Sequence, residues 1–233
     1  MSKLPVQPSS SSAIDAFLKT AAKVPALSQV KGRLIFAIDA TMSRQPTWDQ
    51  AAEIQTEMFD VAQSIGGLAV QLVYFRGRGE FDASAWTTSA AMLADRMNGI
   101  RCRSGFTQLH RVLQHTADEA RKTKVGALVF IGDCFEENPD ATAQEAAKLA
   151  LLGVPAFMFH EGDDPTAEKM FKQIALLTRG VYARFDHGAA ARLRDLLKAA
   201  AVYAVGGGLA LKHYGEKTGG EVLRIAKQMT SGK

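Results

Sequence analysis

Cysteine is scarce in this sequence, with Cys102 and Cys134 the only two among 233 residues. A chain with so few cysteines does not depend on a disulfide framework, and the His and Cys spacing of a structural zinc site is absent. Long hydrophobic runs are also lacking, because the longest, residues 199–211, includes three glycines and is shorter than the roughly 20 residues that span a membrane. The start of the chain has no apolar signal-peptide core, so we expect a cytoplasmic protein.

Positive charges only slightly outnumber negative charges. The sequence has 28 Lys and Arg against 24 Asp and Glu, a formal net charge of +4. The densest basic stretch, residues 96–121, contains few aromatic residues, which favours a solvated surface over a nucleic-acid interface. Hydrophobic residues make up 47% of the chain, and a chain of this length can bury about 70% of its unfolded surface. Intrinsic disorder is therefore excluded, and we expect a folded core.

Short apolar runs alternate with helical patterns along the chain. The runs at residues 34–38, 68–75, 125–131, 154–159 and 181–185 are typical of buried strands, and residues 75–81 predict a hairpin into a short edge strand. Helical patterns separate these runs, which indicates an α/β protein: a doubly wound, mostly parallel sheet with helices on both faces, one short antiparallel edge strand and extra helices at both termini.

The same patterns predict how the chain is divided. Residues 1–30 form an N-terminal tail and a helix, in which Ile14, Phe17 and Leu18 share one face. Residues 31–205 form the main domain. The glycines at 206–208 then set off a C-terminal helical extension, residues 206–233.

Polar side chains cluster where two predicted strands end and where one helix begins. Residues 39–43 follow the first strand, residues 104–107 lead into the long middle helix predicted at residues 107–122, and residues 132–134 follow a later strand. Ligands of open α/β sheets bind beyond the carboxyl ends of the strands, so these loops should meet at one edge. Carboxylate and hydroxyl oxygens suit a hard cation such as Mg²⁺. The candidate ligands are Asp39, Thr41, Ser43, Thr107 and Asp133.

At these residues the sequence resembles the von Willebrand factor A (vWA) domain family. Its metal-ion-dependent adhesion site (MIDAS) combines an Asp-x-Ser-x-Ser loop with a distant Thr and a distant Asp. This sequence has Thr41 where the family usually has Ser, and it places Asp133 in Gly-Asp-Cys where Thr-Asp-Gly is common. The resemblance covers roughly residues 33–205.

The resemblance implies a Rossmann-like vWA fold that binds Mg²⁺ or Mn²⁺ through the five candidate ligands. One coordination position would be left for a carboxylate from a protein partner. The implied function is metal-dependent protein interaction without catalysis. The charge pattern and the apolar runs described above predict neither a nucleic-acid nor a membrane partner.

Two alternatives stay open at this point. In a phosphatase of the haloacid dehalogenase type, Asp39 would be the phosphoryl-accepting nucleophile and Mg²⁺ would bridge to Asp133. That family needs a second Asp two residues after the first, and Thr41 stands there. Alternatively, the acids cap helices and the hydroxyls stabilise turns without binding a metal. Cys102 and Cys134 flank the same loops, where they are either a redox pair or two ordinary thiols.

Overall fold

The structure, a computed structural model, describes residues 27–186 and 189–231. The predicted N-terminal helix with Ile14, Phe17 and Leu18 lies outside the described residues. Within them, no helix is both long enough and apolar enough to cross a membrane.

A six-stranded sheet forms the centre of the described chain, in the order β3-β2-β1-β4-β5-β6. The strands are β1 (Gly32–Asp39), β2 (Leu68–Arg76), β3 (Glu80–Ala83), β4 (Ala127–Gly132), β5 (Ala156–Glu161) and β6 (Val181–Phe185). Neighbouring strands are parallel except at the β2–β3 hairpin, which adds the predicted antiparallel edge strand. Strand order reverses at β1, so the ligand-binding crevice of such a sheet lies beyond the ends of β1 and β4.

Helices cover both faces of this sheet. As a result, β1 buries successive side chains in two different apolar clusters, one on each face. Leu34, Phe36 and Ile38 belong to one apolar cluster, and Ile35 and Ala37 belong to the other. The helices are α1 (Gln45–Ile54), α2 (Thr56–Gln63), α3 (Ala90–Asn98), α4 (Leu109–Lys122), α5 (Pro139–Leu151), α6 (Pro165–Leu177), α7 (Ala190–Thr218) and α8 (Gly220–Ser231), with a short 3-10 turn at Met42–Arg44. The predicted α/β class is confirmed.

Element boundaries differ from the sequence pattern at several positions. The pattern at residues 49–64 predicts one helix, whereas the chain forms α1 and α2. At the predicted break after residue 205, α7 continues as far as Thr218 but has a kink at Gly207, whose φ of 68° and ψ of −165° are not helical. Glycine adopts such a conformation without the steric cost of a Cβ. The boundary at 205/206 stays a prediction.

Candidate metal centre

The register of the two central strands brings Asp39 and Asp133 to the same edge of the sheet. Ile38 on β1 pairs with Ile131 on β4. Asp39 is the last residue of β1, and Asp133 directly follows the last residue of β4. With this register, both carboxylates lie at the same edge of the sheet. Asp39 is buried, whereas Asp133 is partly exposed, so the pair reaches from the core to the surface of the crevice.

The loop after β1 turns its hydroxyls towards Asp133. The backbone N–H of Thr41 donates to Asp39 Oδ1 at 2.7 Å, which fixes the start of the turn. Thr41 Oγ1 lies 3.5 Å from Ser43 Oγ, and Ser43 Oγ donates to Asp133 Oδ2 at 2.9 Å. A continuous set of oxygen atoms thus runs from β1 to the loop after β4.

Thr107 is held at this edge by the loop after β4. The Thr107 hydroxyl accepts from the backbone N–H of Glu136 at 3.1 Å, and the Thr107 N–H donates to the Glu136 carboxylate at 3.4 Å. Next to it, the Glu137 carboxylate accepts from the backbone N–H groups of Leu109 at 2.6 Å and His110 at 3.0 Å. Glu137 therefore caps the N-terminus of α4, for which Gln108 provides no side-chain cap.

The capping carboxylate is itself affected by its position. Burial raises the pKa of the Glu137 carboxyl above its usual range, although the hydrogen bonds from α4 act in the opposite direction. No local sequence pattern assigns this cap. Its only sequence signal is that α4 begins without a Ser, Thr, Asp or Asn at its own N-cap position.

All five candidate ligands line one cleft of about 210 Å³. Its remaining lining residues are Met42, Ser104, Gly105, Cys134 and Glu136. The described residues contain no group of three or more His, Cys, Asp or Glu side chains that could hold a metal ion. A cation here would therefore depend on hydroxyl oxygens as well as two carboxylates, and such an all-oxygen donor set fits Mg²⁺ or Mn²⁺.

His160, at the end of β5, contacts the backbone of the loop that carries Asp133. Its buried ring lies with Nδ1 3.0 Å from the Tyr182 hydroxyl and with Nε2 3.3 Å from the Asp133 carbonyl oxygen. The carbonyl can only accept, so Nε2 carries the proton and the Tyr182 hydroxyl donates to Nδ1. Burial lowers the pKa of His160, which favours this neutral form. No sequence motif includes His160, and its one sequence signal is a histidine at the end of an apolar strand.

Neither Cys102 nor Cys134 forms a disulfide bond. Cys102 is buried and Cys134 is exposed, so no disulfide links the loops that they flank. Partial desolvation of the Cys134 thiol and the neighbouring Asp133 carboxylate raise the pKa of Cys134 to about 12. The structure thus has two ordinary thiols and not a reactive pair.

Solved structures with similar folds include several vWA domains. The SpRpn10 VWA domain matches with a TM-score of 0.54 and 12% identity over 76% of this chain and 98% of that chain. The pilus adhesin SpaC from Lactobacillus rhamnosus GG matches with a TM-score of 0.59 and 13% identity over 75% of this chain, but over only 30% of its own. Proximal thread matrix protein 1 from the mussel byssus, with a zinc-occupied MIDAS motif, matches with a TM-score of 0.58 and 16% identity over 76% of this chain and 48% of its own.

These similarities concern the fold, because the sequence identities are low. No protein-family model and no curated protein sequence matches the chain. The structural matches confirm the vWA-like fold that the motif at Asp39, Thr41 and Ser43 predicts.

Proposed function

We propose that this chain, which has a vWA-like fold, is a divalent-metal-dependent protein-interaction module. Its five oxygen ligands would hold Mg²⁺ or Mn²⁺, and an acidic side chain of a protein partner would complete the coordination. The observation that carries this proposal is that Asp39, Thr41, Ser43, Thr107 and Asp133 line one cleft although they come from three separate loops.

The charge of the donor set supports recruitment of an acidic partner. Asp39 and Asp133 carry the two formal negative charges among the proposed ligands, and the other three are neutral hydroxyls. Mg²⁺ favours six oxygen ligands and keeps waters where the protein supplies fewer. A carboxylate from a partner can replace such a water at the open mouth of the cleft.

The chain's own hydrogen bonds prepare this site. The Thr41 N–H orients the Asp39 carboxylate, Ser43 fixes one oxygen of Asp133, and His160 holds the Asp133 backbone. Ligands that are already oriented lose little conformational freedom on binding, which favours affinity for the ion.

Thermal unfolding in EDTA and then in excess Mg²⁺ or Mn²⁺ tests the metal site. A cation that binds only the folded state adds about 2.7 kcal/mol of stability at 100 times its dissociation constant. We expect this gain in the wild type and its loss in Asp39→Ala. Asp140→Ala, which removes an exposed acid of α5 outside the cleft lining, is the matched control and should keep the gain. The proposal is contradicted if neither metal changes the unfolding midpoint of the wild type.

Turnover of a generic aryl phosphate separates an interaction module from the phosphatase alternative. We expect none with Mg²⁺, because Thr41 occupies the position where that alternative requires a second aspartate. Turnover that Asp39→Asn abolishes would favour the phosphatase instead.

A further inference from the structure

The loop that brings Thr107 to the cleft is fastened to the β2–β3 hairpin. Arg76 Nη1, at the end of β2, donates to the Arg101 carbonyl at 2.6 Å. The Arg103 N–H donates to the Ala40 carbonyl at 3.0 Å, which also ties the loop to the segment after β1. The contact with the hairpin is so close that a Cβ on Gly105 would lie 2.2 Å from the Gly77 carbonyl oxygen. Ser104 and Gly105 line the cleft, and the hairpin packs directly behind Gly105. We call the hairpin together with residues 101–106 the arginine wall.

The arginine wall carries more positive than negative charge. Glu80 pairs with Arg76 at 2.5 Å and with Arg103 at 3.4 Å. Arg78 and Arg101 are exposed, and neither forms an ion pair with any residue that the structure describes. Two cationic side chains therefore face solvent beside a site that is proposed to bind a carboxylate.

The other side of the cleft has the opposite charge. Glu136 lines the cleft from the loop after β4 and is exposed. A ligand in the cleft thus lies between the arginine wall and an acidic side chain, and this field orients a charged segment.

Two large apolar side chains are exposed at the same place. Met42 lies between Thr41 and Ser43 and is 58% exposed, and Phe106 directly precedes Thr107 and is 65% exposed. Since they flank proposed metal ligands, a partner that reaches the metal also covers them. Apolar residues inside a charged rim are typical of the centre of a protein interface.

We propose that the partner segment is acidic and amphipathic. Beside the metal-binding carboxylate it carries further Asp or Glu side chains that reach Arg78 and Arg101, and an apolar side chain that packs on Met42 and Phe106. This inference rests on the proposed metal-dependent function. The complementary charges of the arginine wall and the segment carry it, and a segment with lysines in place of the extra acids is disfavoured.

Exposed ion pairs are individually weak, so the preference comes from the combined field of the wall. Such a field raises the association rate and is screened by salt. The acidic preference should therefore shrink as ionic strength rises.

Fluorescence anisotropy with the full chain in Mg²⁺ measures the preference directly. The probes are three fluorescein-labelled peptides: Gly-Ser-Leu-Asp-Glu-Glu-Ser-Gly, the same peptide with Lys-Lys for Glu-Glu, and the first peptide with Asn for Asp. We expect the acidic peptide to bind about tenfold more tightly than the lysine peptide, less so at high salt. Binding of the acidic peptide should disappear in EDTA and with the Asn peptide.

Charge reversal locates the preference on the protein. Arg78→Glu with Arg101→Glu should remove the preference for the acidic peptide while leaving the Mg²⁺-induced rise in unfolding midpoint intact. Lys124→Glu with Lys169→Glu makes the same change in net charge at exposed positions away from the cleft and should keep the preference. Met42→Ser with Phe106→Ser should weaken binding of the acidic and lysine peptides to a similar degree.

The outcomes separate this inference from the function on which it rests. Three results would each contradict the proposal of an acidic partner segment without affecting the metal site. These are equal binding of the acidic and lysine peptides, no binding of the acidic peptide at millimolar concentration, and no effect of the arginine reversal. If the acidic peptide binds equally well in EDTA, both proposals fail.

Discussion

Thr41 allows the proposed ligand role to be tested with a change of a few atoms. Its backbone N–H donates to Asp39, and replacing the side chain leaves that hydrogen bond in place. Thr41→Ser keeps the hydroxyl and should bind Mg²⁺ or Mn²⁺ like the wild type. Thr41→Ala should weaken metal binding by at least about tenfold, the loss that even outer partners of a metal site cause. Isothermal titration calorimetry measures both, and equal affinities of the two variants would exclude Thr41 as a ligand.

His115 makes the stability depend on pH. Its Nε2 lies 2.9 Å from Gln71 Oε1, and burial lowers the pKa of its ring below the ordinary value of about 6.5. The unfolded chain therefore binds more protons than the folded one below that pH, and the free energy of unfolding falls as the pH drops through the folded pKa.

We expect the wild type to lose more stability between about pH 7 and pH 5 than His115→Gln does, in urea unfolding at each pH. His213→Gln, which removes an exposed histidine on α7, controls for the loss of a histidine as such. Parallel pH profiles of the wild type and His115→Gln would show that burial of this ring is not coupled to protonation.

The candidate ligands could be chosen from the sequence because their residue types and their order along the chain are distinctive. Their supports could not. Glu136 meets Thr107 across 29 residues of sequence, and His160 meets Asp133 across 27. Contacts of this kind depend on strand order and register, which no local pattern reports.

At the scale of elements, α4 depends on a cap from another loop. The carboxylate of Glu137 accepts from the N–H groups of Leu109 and His110. Burial raises the Glu137 pKa, so its neutral form is favoured relative to the unfolded chain, and its contribution to stability decreases as the pH rises through the folded pKa. A neutral acceptor of the same shape should therefore serve as a cap.

We expect Glu137→Gln to change the free energy of unfolding by less than about 1 kcal/mol, because the amide oxygen still accepts a hydrogen bond. Glu137→Ala leaves the N–H groups of α4 without this acceptor and should cost about 1–3 kcal/mol. Urea unfolding at neutral pH compares the two. Equal losses for Gln and Ala would mean that α4 needs the charge and not the acceptor.

Apolar runs predicted the strands well, because buried parallel strands are apolar on both faces. Helix starts were less predictable. The pattern begins α4 at residue 107, yet the helix begins at Leu109, where the Glu137 cap binds. The glycines at 206–208 predict a break, but a glycine can kink a helix as well as end it, and the helix is kinked at Gly207.

For the whole molecule, α7 joins the C-terminal helices to the sheet. It crosses the start of β1 and the segment before β4 at two glycines, which have no side chain to obstruct it. A Cβ on Gly32 would lie 2.5 Å from Val205 Cγ2, and one on Gly126 would lie 2.4 Å from the Ala204 carbonyl oxygen. Beyond the kink, Leu211 and Ile225 belong to the same apolar cluster as Leu34 of β1. This continuity predicts that the C-terminal helices unfold together with the sheet.

Ile225→Ala tests that cooperativity. Ile225 is fully buried, so the variant creates a cavity and should lose about 2–5 kcal/mol of stability, as is usual for such changes in a core. Leu209→Ala, at a position that is 67% exposed, should stay within about 0.5 kcal/mol of the wild type.

Calorimetry and circular dichroism should show one transition that moves as a whole in Ile225→Ala, because the cavity lies in a cluster that includes the central strand. A separate early transition in this variant, with the main transition unmoved, would mean that the helices after residue 205 are an independent appendage. One shared transition would mean that they form part of the core that holds β1, and with it Asp39, in place.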